Sequence, residues 1–307
     1  MDYISLGELV ASMSDKVKTY RYSEIFGKTI QGEGKYSGIP TVWYRAWGCN
    51  FTCAGFGQSH LSRDQWVDPY ADVDVSKYKT MEELPVFPVG CDSGYSWSKK
   101  FGHLARKGTP EQIVEQLRSY LPGGTFQHPR SKQWTHMAFT GGEPMMSQSA
   151  IVDIMEQFRL GPDSPQHVTI ETNGTQDMRD IYLNFFGNKG KFSGELFWSV
   201  SPKLSASGEN WNKAIKPETV RSYQDLSSAG QLKYVGDGSD QSWDEIERAT
   251  QLYRDIGVNF PVWVMPVGAR REEQEAVQVK IAEGAIERGY HVAMRIHVFL
   301  FGNIIGK

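Results

Sequence analysis

Apolar and polar positions along this 307-residue chain alternate between two periods. The run "TVWYRAW" (41–47) is rich in β-branched and aromatic residues and has strand length; it ends just before the first cysteine. "TPEQIVEQLRSYL" (109–121) has helical spacing. Ile113, Val114, Leu117, Tyr120 and Leu121 share a face, Thr109 can cap, and Pro110 suits the first helical position. Strand signals recur in "THMAFTGGEP", "HVTIETNG", "ELFWSVSPK", "QLKYVGDG" and "PVWVMPVG". Helical patterns separate them, firmest at 148–159, 241–256 and 271–289 and looser after "ETNG". The last segment, "HVAMRIHVFLFGN" (291–303), reads as extended. Strand and helix alternate at least six times, which predicts an α/β fold with a parallel sheet wrapped by helices. The clusters "GGEP", "ETNG", "SPK" and "GDG" all follow strands, where a (β/α) barrel builds its sites. A doubly wound open sheet would gather its loops similarly, and the pattern favours the barrel.

Composition bounds the function without naming it. With 39% hydrophobic and 22% charged residues, the chain can bury a sizeable core, and we read 1–307 as a single domain. No apolar run approaches a membrane span, and the opening "MDYISLGELVASMSDKVKTYRYSE" lacks a signal peptide's basic flank and apolar core. The expected compartment is cytoplasmic. A formal charge of -3 leaves no electrostatic footprint for a nucleic-acid backbone, so the expected substrate is a small molecule.

The three cysteines, Cys49, Cys53 and Cys91, all fall in one early segment. An odd count is no disulfide framework. Three structural thiols, a zinc site completed by His60 or His103, and an iron–sulfur site each remain compatible with the number. Cys49 and Cys53 are separated by three residues, but 37 stand between Cys53 and Cys91.

Further motifs narrow the choice. "TIQGEGKYSGIPTVWYRAWGCNFTC", "FTGGEP", "ETNGT", "SPKLSASGE" and "LKYV" resemble, in the same order, segments of the 7-carboxy-7-deazaguanine synthases, a radical S-adenosylmethionine (SAM) family. The resemblance implies a partial (β/α)6 TIM-like barrel of the radical SAM type. It implies a [4Fe–4S] cluster on Cys49, Cys53 and Cys91, with one iron left open for SAM. The family commonly has C-x3-C-x2-C continuing as Cys-Asp-Thr, and here "CDSGYSW" resumes that pattern after Cys91 with Ser93 in place of threonine. Residues of about 55–89 are then an inserted loop between ligands, which closure entropy tolerates because it grows slowly with length. Its Trp66, Tyr70, Tyr78 and Phe87 would pack the loop against the barrel or offer a partner surface.

The same resemblance assigns Asp92, Gly141, Gly142, Glu143, Glu171, Ser201, Pro202 and Lys203 to SAM, and Ser93 to Mg2+. It assigns Ile30, Gln31, Gly32, Glu33, Arg45, Thr140 and His297 to a 6-carboxy-5,6,7,8-tetrahydropterin substrate. A guanidinium fork suits a carboxylate, so Arg45 is the expected carboxylate partner; for His297 a packed core role is an equal alternative. Glu143 with nearby backbone groups would hold the methionyl ammonium. The implied product is 7-carboxy-7-deazaguanine, formed with loss of ammonia on the way to queuosine-type bases. An electron donor such as flavodoxin and a homodimer are the implied partners, and segment 290–307 would close the barrel or the substrate pocket. Another radical SAM enzyme, such as a glycyl-radical activase, and a non-catalytic partner-binding protein on the same fold are the competing readings.

Overall fold

In the computed structural model, residues 17–87, 89–302 and 304–306 are described. The first sixteen residues of the expected single domain, Pro88 of the inserted loop, and Asn303 and Lys307 of the C-terminal segment lie outside the described residues.

The apolar run at 41–47 forms β2 (Pro40–Ala46), and an unanticipated strand, β1 (Tyr20–Ile30), pairs with it antiparallel. β1 reads poorly as a strand because its inner face carries the polar Glu24 and its register slips twice against β2. A short β3 (Arg106–Gly108) edges β1. Beyond β2 the sheet runs parallel through β4 (His136–Gly141), β5 (His167–Thr172), β6 (Glu195–Val200), β7 (Gly230–Gly236), β8 (Val262–Pro266) and the two-residue β9 (His291–Val292). Among the described residues the order β3-β1-β2-β4-β5-β6-β7-β8-β9 leaves both edges unpaired, so the barrel is partial.

Helices follow where the 3.6-residue pattern places them. α1 (Pro110–Ser119) starts with the capping box of Thr109 and Gln112. α2 (Gln148–Arg159), α6 (Asp240–Asp255) and α7 (Arg271–Glu287) match their expected spans closely. α3 (Asp180–Phe186) is the looser stretch, and α4 (Trp211–Ala214) and α5 (Pro217–Leu226) were unanticipated. Along the strands side chains alternate faces. Met137 and Phe139, Val168 and Ile170, and Leu232 and Tyr234 enter the main core beneath the helices. Their neighbours Thr140, Glu171 and Lys233 face the barrel's inner cavity.

That interior is stoppered from the strands' N-terminal side by the β1–β2 connection. Tyr36 lies edge-on to His136 and Phe197 and donates its hydroxyl to Glu195, residues at or near the starts of their strands. Gly34 turns at φ +68, and a Cβ there would come within 2.3 Å of the Gln231 amide. Glycine is therefore required for both conformation and space.

The C-terminal segment departs from expectation. Only His291–Val292 is extended, and α8 (Ile296–Phe301) follows, ending at Gly302 in the left-handed region. A short apolar run does not distinguish strand from helix by period. Pairing with β8 ends where the Ala293 N–H donates to the Val264 carbonyl, and from Val298 on the backbone satisfies its polar groups locally, as a turn of helix does. The Ile296 N–H donates to the Gly32 carbonyl, tying this segment to the β1–β2 connection.

Candidate active site

A cavity of about 470 Å³ opens at the strands' C-terminal ends. All of the sequence-derived site residues line it except Glu143 and Pro202. Parallel register sets Arg45 beside Thr140 and Ala46 beside Gly141, so the first cysteine loop and the "TGGEP" turn leave adjacent strands together.

The cysteine loop is held by three connections. The Glu143 N–H donates to the Gly48 carbonyl, and a Cβ on Gly142 would sit 2.2 Å from that oxygen and 2.7 Å from the Cys49 Cβ. The second glycine thus permits contact between the two loops. Asn173 donates to Asn50, which in turn donates to Thr175, pinning the loop to "ETNGT". Glu209 accepts from the Thr52 and Cys53 N–H groups at 2.8 and 2.7 Å. Cys53 has φ 48, unusual for a non-glycine residue, and the two charge-assisted bonds help to hold it there. Glu209 went unassigned although it stands in "SPKLSASGE"; only the folded loop shows what it caps.

The inserted loop returns Cys91 to this rim. The Gly90 N–H donates to the Phe56 carbonyl at 2.7 Å, closing the insertion on itself. Tyr70 and Phe87, with Met81 and Leu84, build a small core that also takes in Tyr95, Phe101 and Leu104. Trp66 covers Gly208. Tyr70 donates to the Cys91 carbonyl at 3.0 Å. All three cysteines are free thiols lining one cavity, and they pack in one small cluster around Phe51 and Ala214.

These thiols suit the cluster that the motifs imply. Burial pushes Cys49 up to about 12 and raises Cys53 and Cys91 as well, outweighing the Phe51 N–H and Lys203, which pull the other way. Such sulfurs stay protonated until a cation supplies the missing charge. The Phe51 N–H lies 3.4 Å from the Cys49 sulfur, a donor of the kind that tunes cluster thiolates. Among the described residues no three His, Cys, Asp or Glu side chains converge on a single ion. A cubane binds each thiolate through a different iron, so its ligands stand around a space.

On the substrate side the cavity is lined by a chain of buried charges. Lys233 bridges Glu33 at 2.6 Å and Glu171 at 2.8 Å, and Gln31 donates to the other Glu171 oxygen. Arg295 bridges Glu33 at 2.8 Å and Asp92 at 2.6 Å. Burial alone would raise Glu33, but Lys233 and Arg295 outweigh it and hold the carboxyl well below its ordinary range. Burial would likewise raise Asp92, and Arg295 brings it down. His297 is pushed down to about 4 by burial and by Arg295, so it is neutral at pH 7. Its ring packs on Gly32, where a Cβ would meet Nδ1 at 1.8 Å. Ser93 donates to Asp92 at 3.2 Å and sits 3.4 Å from Arg45 Nη1. Lys203 reaches Ser201 at 3.2 Å.

Glu143 lies behind the cavity wall, where its fully buried carboxylate accepts from the Met145 and Asn173 N–H groups and the Thr172 hydroxyl and so knits β4 to β5. Pro202 is also buried away from the cavity. Sequence reasoning missed Lys233 and Arg295. The signal for Lys233 was present, as a lone lysine inside the apolar strand "QLKYV".

The partial barrel of mostly parallel strands defines the class of fold, and QueE from Escherichia coli shares it. That crystal structure superposes with a TM-score of 0.52 at 17% identity, over 95% of this chain and 99% of that one. Within the class, this chain is a relative of proteins named 7-carboxy-7-deazaguanine synthase. It is 27% identical to the one from Halobacterium salinarum over 293 residues, covering 90% of this chain and 88% of that protein. The identity is 26% over 287 residues with the Rhodopirellula baltica protein, covering 89% and 83%, and 25% over 292 residues with that of Pyrobaculum aerophilum, covering 94% and 97%. No family model matches the chain.

Proposed function

We propose that this chain is a radical SAM carbon–nitrogen lyase that converts 6-carboxy-5,6,7,8-tetrahydropterin to 7-carboxy-7-deazaguanine with loss of ammonia, in a queuosine-type pathway. The observation that carries the reading is convergence. Motifs far apart in the sequence, from Gln31 to His297, meet on one cavity beside three free thiols. The relatives named for this activity support it along nearly the whole chain.

In this reading Cys49, Cys53 and Cys91 would hold the [4Fe–4S] cluster, which together with SAM would supply one-electron reductive cleavage and hydrogen abstraction. The chain's own residues do the rest. Gly141 and Gly142 let backbone approach the cofactor, and Ser201, Lys203 and Glu171 offer polar contacts to its carboxylate, ammonium and ribose. Arg45 binds the pterin carboxylate. Gln31, Gly32 and Glu33 read the heterocycle's edge, with Glu33 kept anionic so that it accepts from the ring's N–H groups. Ser93 gives an oxygen to Mg2+, which prefers few protein oxygens and several waters. The insertion, with Pro85 and Phe87 on the cavity wall, helps exclude water. A flavodoxin-like electron donor, a homodimer and a cytoplasmic location belong to the same reading.

The test is anaerobic reconstitution with iron and sulfide, then incubation with reductant, SAM, Mg2+ and 6-carboxytetrahydropterin. The expected result is the deazapurine without net loss of SAM, and loss of the cluster's broad absorption in Cys91→Ala. SAM cleavage with no deazapurine would favour another radical SAM substrate, and an undiminished cluster in Cys91→Ala would remove that cysteine from the ligand set.

A further inference from the structure

Arg45 does not stand alone. Its Nε donates to Glu24 Oε1, and the same oxygen accepts from the Tyr95 hydroxyl at 3.0 Å. The Glu24 side chain has 0% exposure, and Arg45 is its only ion-pair partner among the described residues. Arg45 lies against two rings, with its guanidinium carbon 5.4 Å from the Phe26 centroid and 5.7 Å from that of Tyr95. Nη1 has only the long contact to Ser93, Nη2 makes no hydrogen bond among the described residues, and Arg45 lines the cavity.

We infer that Glu24 and Tyr95 are positioning residues for Arg45: they fix the guanidinium by Nε and present its two Nη groups to the carboxylate of a bound pterin, and Tyr95 sets that clamp in register with the third-cysteine loop. The inference deepens the proposed function and rests on it. A guanidinium on a flexible stem loses rotamer freedom when it binds an anion. Here a buried carboxylate, which would be left uncompensated if Arg45 swung away, has already imposed that restriction. The bond takes Nε, which removes the side-on fork and leaves the two terminal nitrogens for an end-on fork on a carboxylate. Tyr95 adds a second constraint. It lies four residues after Cys91, inside the segment that the insertion displaces, and the Gly94 N–H is itself tied back to the Cys91 carbonyl. The hydroxyl therefore links the loop that carries Cys91 and Ser93 to the strand pair that carries Glu24 and Arg45. A shift of the cysteine loop would move the clamp with it.

The experiment compares wild type, Glu24→Gln and Tyr95→Phe in anaerobic equilibrium binding of 6-carboxytetrahydropterin and of tetrahydropterin lacking the carboxylate, together with KM, kcat and the cluster's absorption spectrum. Wild type should prefer the carboxylated pterin. Each variant should weaken that ligand on the order of tenfold, the scale of one charge-assisted hydrogen bond, while binding of the uncarboxylated pterin and the cluster spectrum stay unchanged. KM should rise more than kcat falls. Equal weakening of both pterins would make the two residues merely structural and overturn the inference, as would variants that keep the full preference. Should Glu24→Gln fail to fold, Tyr95→Phe decides alone, because it removes one hydroxyl and keeps the ring. A wild type that shows no preference for the carboxylate would overturn the proposed substrate, and the inference with it.

Discussion

Lys233 shows how much one buried side chain carries. Burial would lower its pKa, but Glu171 and Glu33 outweigh that and raise it, so it is charged at neutral pH. Replacing it by methionine keeps the volume and leaves Glu171 without its cation, while Glu33 keeps Arg295. A broken buried pair costs about 3–5 kcal/mol, and we expect Lys233→Met to lower the urea midpoint accordingly. Arg271→Ala, which removes an exposed helical pair with Glu275, should shift it by about 0.5 kcal/mol or less. Equal shifts would mean that the interior network is solvated like the surface. Both acids were legible as site residues from "QGEG" and "ETNG". Their cation was not, because a lysine's partners lie on other strands and strand register decides which they are.

The inserted loop is the element that most changes the reading of the sequence. Its length suggested a tolerated addition, and its aromatic residues left packing and partner contact both open. Tyr70 is nearly buried, meets Phe87, Trp97 and Phe101 edge-on, and donates to the Cys91 carbonyl, so it is both core and brace. Tyr70→Ala should cost about 3–5 kcal/mol, the range for removing a large buried aromatic. It should also speed alkylation of Cys91 in the metal-free protein, followed by mass spectrometry, relative to Cys53, whose loop is held by Glu209. An unchanged ratio would show that the insertion does not brace the third cysteine. Helix α8 gives the opposite lesson. Its apolar run was visible, but its conformation depended on β9 being only two residues long.

For the whole molecule the buried histidines set a pH dependence. His136, pushed down to about 4 by burial and by His167, and His297, pushed to a similar value by burial and Arg295, both stay neutral in the fold. A free histidine takes up its proton near pH 6.5, so between about 6.5 and 4 the unfolded chain binds more protons than the native one, and stability falls as pH falls. Glu33 and Asp92, with depressed folded values, contribute stability above their unfolded values and add to the loss below about 4.5. Thermal melting should therefore be flat between about pH 7 and 8, decline steadily below 6.5, and decline again above about 8.5, where the unfolded chain loses thiol protons that the buried cysteines keep. His136→Gln should flatten the upper part of the acid-side decline, and an acid-side decline starting only below pH 4.5 would rule the histidines out. The sequence by itself determined the strand and helix alternation and the rim on which the glycine-bearing turns fall, because periodicity and turns are local and survive in one dimension; the residues singled out by motif resemblance nearly all line the one cavity. Only the tertiary structure decided which charges pair inside the barrel, that Glu143 knits β4 to β5, and that the Gly90–Phe56 bond brings Cys91 back to Cys49 and Cys53. Those depend on distances between residues far apart in the chain, and such distances are set by strand register and loop closure.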